Sequence, residues 1–193
     1  MATPSLATRL ADLQRELDRL QRWSSKLPAQ KNWVQQLNEL RFVRATLVWE
    51  EFLEQSFICF LRGARSIQGR IYPLQVALPS NLAAAEAAAI GHAAYGKWLN
   101  ERWTLARAGA IFTGSHPFLP LTSPVFPEIR AVRNRIVHRS EDARREFQNI
   151  VTLLYGTWRP GMTPGRLLSE PAGSPRVDHY LQVMRTTATL IAS

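Results

Sequence analysis

The sequence has one cysteine, Cys59, four histidines and no long uninterrupted apolar run. A single thiol excludes an intrachain disulfide and any cysteine-built zinc centre. With Phe57, Ile58, Phe60 and Leu61 around it, that thiol reads as a buried, inert side chain. The apolar segments fall short of the ~20 residues that a bilayer-spanning helix needs, so no membrane span is expected. A membrane-surface or scaffold role is the weakest alternative, since no helix combines a dense Lys/Arg face with an aromatic one. Arg9, Asp12, Arg15 and Glu16 interrupt the first twenty residues, which therefore lack a signal peptide's apolar core, and a cytoplasmic location is expected. Strand alternation and internal repeats are missing too. His92, His116 and His179 are scattered without ligand spacing, so no metal and no other cofactor is expected. The stretch from Gly161 to Gly165 is not followed by Lys-Ser or Lys-Thr, which excludes a phosphate-cradling loop of that type.

Acidic residues are also scarce. There are 15 against 24 basic ones, mostly arginine, giving a formal net charge of +9 and a pI near 10.7. Such an excess favours polyanionic partners, although a merely solvated basic surface has the same composition. At 193 residues the chain is long enough for one ordinary domain with a real core. A single all-helical domain over 1–193 is expected, with its core at about 31–156 and a C-terminal loop and helix over 157–193.

What is present is helical periodicity. Leu6, Leu10, Leu13, Leu17 and Leu20 follow a 4-3-4-3 spacing, extended by Trp23 and broken at Ser24, Ser25 and Pro28. The stripe suits either a coiled-coil seam or packing within its own bundle. A longer helix is expected from Lys31 to Arg62, with Leu37, Leu40, Val43 and Leu47 on one face and a more uniformly apolar second half carrying Glu50, Glu51 and Glu54. Further helices are expected over Asn81–Ile90, capped by Ser80 or Asn81, and over Tyr95–Phe112. The Pro- and Gly-rich segment 113–127 reads mostly as loop. Val125, Ile129, Val132 and Ile136 form an apolar face up to His138. Ser140 caps a following helix with Phe147, Ile150, Val151 and Leu154 inward and Gly156 as its stop. Residues 157–175 read as a surface loop. A last helix carries Val177, Tyr180, Leu181, Met184 and Ile191. The fold class is an all-α bundle.

One stretch could do chemistry. In Glu-Ile-Arg-Ala-Val-Arg-Asn-Arg-Ile-Val-His-Arg-Ser-Glu-Asp, residues 128–142, Arg133-Asn134 is followed by three residues and then His138. On a helix Asn134 and His138 share a face, with Arg130 one turn behind and Arg133 beside that row. A guanidinium binds a phosphate through a planar fork and stabilises charge on its non-bridging oxygens. An imidazole can remove a 2′-hydroxyl proton or protonate a departing 5′-oxygen. Asn134 would hold the imidazole or a phosphate oxygen. RNA supplies its own nucleophile, so no serine, cysteine or metal is needed. A single imidazole is poorly suited to act as base and acid together. A symmetric homodimer that brings two His138 and two Arg133 to a two-fold axis removes that difficulty.

The Arg133-Asn134-x-x-x-His138 pattern, with its lead-in Glu128 to Val132, resembles the motif of the HEPN superfamily. The run Leu47-Val48-Trp49-Glu50-Glu51-Phe52-Leu53-Glu54 is similar to the acidic–apolar core helix of prokaryotic members, particularly the RiboL-PSP type. The resemblance spans about Arg41 to Gly156. It implies a four-to-five-helix up-and-down domain, here with added N- and C-terminal helices, that dimerises through the motif helices. It also implies metal-independent endoribonuclease activity in toxin–antitoxin, abortive-infection or related defence, with an antitoxin or regulatory protein as a further partner.

Each assignment has a plainer reading beside it. His138 could be a helix-ending imidazole that complements the dipole. Arg133 could pair with Glu50, Glu51 or Glu54, and Asn134 could simply solvate its helix. Arg130, Arg135 and Arg139 are read as substrate-steering cations or plain surface. Glu50 and Glu54 are read as carboxylates supporting the site from behind, or as interhelical contacts. Trp98 and Trp103 suit base stacking or helix packing. The chain as a whole reads as an endoribonuclease, or alternatively as a non-catalytic helical module that binds RNA, a nucleotide or a protein.

Overall fold

The computed structural model of the chain describes residues 5–23, 31–94, 96–171 and 175–193, without the side chain of Lys31. Helix makes up 68% of it and there is no strand among the described residues, only an isolated antiparallel bridge between Leu74 and Phe112. The fold is all-α. The helices are α1 (Leu6–Trp23), α2 (Lys31–Leu61), α3 (Leu82–Ile90), α4 (Glu101–Gly109), α5 (Val125–Val137), α6 (Glu141–Tyr155), α7 (Pro164–Ser169) and α8 (Arg176–Ala192), with a 3-10 turn at Leu119–Thr122. No helix among the described residues is long and apolar enough to cross a membrane. The break expected at Ser24, Ser25 and Pro28 lies outside the described residues, as does Tyr95.

The chain divides into two compact units. The first comprises Met1–Glu16, Val48–Ser123 and Met184–Ser193; the second comprises Leu17–Leu47 and Pro124–Val183. In the first, the second half of α2 is buried along most of its girth, including Trp49, Phe52, Leu53, Phe57, Phe60 and Leu61. Phe57 is the hub of an aromatic cluster, with ring centroids 4.9 Å from Phe118, 5.2 Å from Trp98 and 5.7 Å from Phe112. Trp98 is buried and its ring meets Trp103 edge-on at 5.0 Å, so packing is its role rather than stacking on bases. Cys59 is buried as expected, and burial pushes its thiol up against the pull of Arg9 and Arg62. Glu50 and Glu54 lie half-buried on α2 in this unit.

In the second unit, Leu17 and Leu20 of α1 are fully buried, as are Phe42, Ile129, Val132, Val151, Val177 and Tyr180. The polar centre of this core is Arg41, with no exposed surface. Its Nε donates to the Leu20 carbonyl at 2.9 Å, Nη1 to Asn38 Oδ1 at 2.8 Å and Nη2 to Asp178 Oδ1 at 2.6 Å. A buried guanidinium is tolerated only when its donors are satisfied in this way.

That network turns α2 away from the expected orientation. Leu40 and Leu47 are 63% and 46% exposed, and the buried side carries Asn38, Arg41, Phe42, Ala45 and Thr46 instead. Two other expectations change. The helix expected over Tyr95–Phe112 is only α4, because Asn100 caps it, accepting the Trp103 N–H, while Thr104 Oγ1 donates to the Trp98 carbonyl. The loop expected over 157–175 contains α7, where the Thr163 hydroxyl accepts the Arg166 N–H, Pro164 occupies the first turn and Leu167 and Leu168 are buried.

Candidate active site

Helix α5 carries the motif and is anchored along its length. Pro127 sits in its first turn, where backbone N–H groups have no intrahelical acceptor, so the proline sacrifices no hydrogen bond. Phe126, Ile129, Ala131 and Val132 are buried, and α5 packs on α6 and α7. At its start, Glu128 Oε2 accepts the Tyr180 hydroxyl at 3.1 Å and lies 3.9 Å from Arg176 Nη1. Burial, reinforced by the Glu128 carboxylate, holds the Tyr180 proton on well above the usual phenol range. In its middle, Arg130 Nη1 meets Glu146 Oε1 at 3.2 Å and ties α5 to α6.

The helix ends one residue earlier than the motif. His138 is its C-cap, with extended backbone, and its N–H still donates to the Asn134 carbonyl at 2.8 Å. Ser140 then caps α6 by accepting the Ala143 N–H at 3.3 Å, and Gly156 ends α6 in the left-handed conformation. The corner between the two helices is therefore only His138, Arg139 and Ser140, all exposed.

At that corner three side chains converge. Arg133 Nη1 lies 3.4 Å from His138 Nε2 and 3.5 Å from Asn134 Oδ1. Both distances are at the long end for hydrogen bonds, as is common in sites that tighten only around substrate. For the guanidinium to donate to Nε2, the imidazole must be neutral with its proton on Nδ1. A half-buried cation, a carbonyl-presenting amide and a solvent-facing imidazole thus share one small surface.

The supporting residues divide. Arg135 is half-buried and Arg139 exposed, and neither has a hydrogen-bond or ion-pair partner among the described residues. Arg130 is engaged with Glu146 and serves first as an interhelical tie. The candidate carboxylates Glu50 and Glu54 belong to the first unit, whereas Arg133, Asn134 and His138 belong to the second. The anchors Glu128–Tyr180 and Arg130–Glu146 carry no local sequence signal beyond an acidic residue in the first turn of α5, because the paired positions are 52 and 16 residues apart. No protein-family model matches the chain, and neither does a curated protein or a solved structure.

Proposed function

We propose that the protein is a metal-independent endoribonuclease of the HEPN kind, with Arg133, Asn134 and His138 as its catalytic residues. The observation that carries this reading is the 3.4 Å approach of Arg133 Nη1 to His138 Nε2 at an exposed corner. In the reaction, a neutral imidazole takes the proton of the RNA 2′-hydroxyl, whose oxygen attacks the adjacent phosphorus. The P–O5′ bond breaks, a proton is delivered to the departing 5′-oxygen, and a 2′,3′-cyclic phosphate remains. Arg133 stabilises the negative charge that builds on the phosphoryl oxygens, and Asn134 orients either the guanidinium or the phosphate. Arg135 and Arg139, with no hydrogen-bond or ion-pair partners among the described residues, steer the polyanion, and Arg130 adds to the local positive field.

Base and acid are best supplied by two imidazoles, so a second copy is proposed to complete the site with its own His138. A toxin or phage-defence setting, with an antitoxin or regulatory partner, follows from the motif resemblance alone. The test is incubation with RNA in the presence and absence of a chelator, followed by analysis of the product ends. Cyclic 2′,3′-phosphate ends formed with chelator present are expected. A strict metal requirement contradicts the mechanism, and RNA that is bound but never cut favours a non-catalytic binding module.

A further inference from the structure

The first half of α2 carries an apolar row that the single chain leaves uncovered. Trp33, Leu40 and Leu47 follow one another at seven-residue spacing and are 56%, 63% and 46% exposed. Such a row holds to one face over about four turns, the pattern by which one helix seats itself along another. Its middle opens into a groove of about 440 Å3, lined by Gln36, Glu39, Leu40, Val43, Ile136 and Val137. Val137 is exposed and directly precedes His138, so the groove runs up to the motif. All of these residues belong to the second unit. A contiguous apolar face of this kind marks an interaction surface.

We propose that a second copy of this chain covers the face, packing α2 against α2 about a two-fold axis near Leu40, and that this docking sets the partner's His138 beside the first. The shared site rests on the ribonuclease reading; the docking face does not.

Charge selects the occupant. With 24 basic and 15 acidic residues, two copies repel each other wherever their cations meet. No lysine or arginine lines the groove, and its one charged member, Glu39, has Oε1 turned to the Gly165 N–H at 2.7 Å. The exposed Arg44 stands at the edge of the row, where a cation keeps its water. An RNA backbone or an acidic protein finds no cation here to pair with. A neutral, apolar face is the kind on which this basic chain can meet itself.

The row is also symmetric about its centre. Leu40 stands midway between Trp33 and Leu47, so a two-fold axis crossing α2 there sets Trp33 against the partner's Leu47 and Leu40 against the partner's Leu40. Apolar side chains then meet apolar ones along the whole row. The two α2 helices run antiparallel, and this symmetry keeps both copies of α5 on the same side of the pair. Because Ile136 and Val137 flank α2 at the level of Leu40, both α5 ends approach the axis. One imidazole can then take the 2′-hydroxyl proton while the other protonates the departing 5′-oxygen.

Sedimentation of the native chain, Leu40→Asp and Leu153→Asp at micromolar concentration tests the face. Leu153, on α6 and 74% exposed, is an exposed leucine outside the row. The native chain and Leu153→Asp are expected at twice the chain mass of 21.9 kDa, and Leu40→Asp at the single mass with an unchanged circular dichroism spectrum. A native chain that is monomeric, a dimer that survives Leu40→Asp, or one split equally by Leu153→Asp overturns the docking face. These readings need no cleavage, so a chain that cuts no RNA sinks the shared site without touching the interface. Single-turnover cleavage by the Leu40→Asp monomer tests the shared site itself. A fall of about 100-fold or more is expected, the usual loss when a general acid or base is missing. Cleavage by that monomer at the native rate overturns the partner's part in the reaction.

Discussion

Arg133 and His138 meet at 3.4 Å although they are five positions apart, because α5 stops at Val137 and the extended backbone of His138 lets its ring fold back over the last turn. Had the helix continued through 138, the two side chains would not share a row. The short corner to α6 keeps the ring in solvent, where a sugar–phosphate can reach it.

Arg133→Lys tests whether the planar fork matters. Lysine keeps the charge but lacks the rigid planar fork that donates two parallel hydrogen bonds to a phosphoryl group. The single-turnover cleavage rate is expected to fall by about 100- to 1,000-fold, the usual loss for one donor to a developing oxyanion. Circular dichroism is expected to be unchanged, and an undiminished rate means the guanidinium acts only as a point charge.

Removing Asp178 tests the polar core of the second unit. Asp178→Ala leaves Arg41, with no exposed surface, short of its carboxylate. A loss of about 3 kcal/mol in urea unfolding is expected, as for other broken buried pairs. A change below about 0.5 kcal/mol, the range of ordinary surface substitutions, contradicts the role given to this ion pair.

Leu40 and Phe42 lie two residues apart and on opposite sides of α2. Leu40→Asp is expected to change the stability of the dilute, monomeric chain by no more than about 0.5 kcal/mol, since the side chain is 63% exposed. Phe42→Ala, at a fully buried position, is expected to cost about 3–5 kcal/mol. The reverse order in chemical denaturation means that α2 is rotated the other way.

His116 gives the first unit a pH dependence. Burial, opposed by a backbone hydrogen bond, pushes its imidazole below the usual 6.5, and Nδ1 has no partner among the described residues. The unfolded chain therefore takes up the proton first. This contribution to stability is complete above about 6.5 and is lost as pH falls toward the lower folded value. The Tm of the native chain is expected to drop more than that of His116→Gln between pH 7.5 and 5.5. Equal drops contradict the assignment.

Features fixed by neighbours a few residues away were legible in the sequence. The α1 leucine stripe, the Asn81 and Ser140 caps and the Gly156 stop all stand where spacing and capping chemistry put them. Arg133, Asn134 and His138 are near one another in sequence, but the contact of Arg133 with His138 depends on α5 ending at Val137, one residue before the helical row used in reading the sequence would place it. The orientation of α2 was not legible, because Arg41 is made tolerable inside the core by Asp178, 137 positions away. Read locally, an arginine points outward and the leucines of that face point inward. The α7 turn was hidden in a segment whose Pro and Gly content reads as loop, even though Thr163-Pro164 is a good helix start.

The most direct test of the central claim is the single-turnover cleavage rate of one defined RNA by the native chain and by His138→Ala, with chelator present and the fold checked by circular dichroism. Loss of nearly all cleavage in a variant that remains folded, with cyclic phosphate ends in the native reaction, is the predicted result. Cleavage by folded His138→Ala at the native rate contradicts the account.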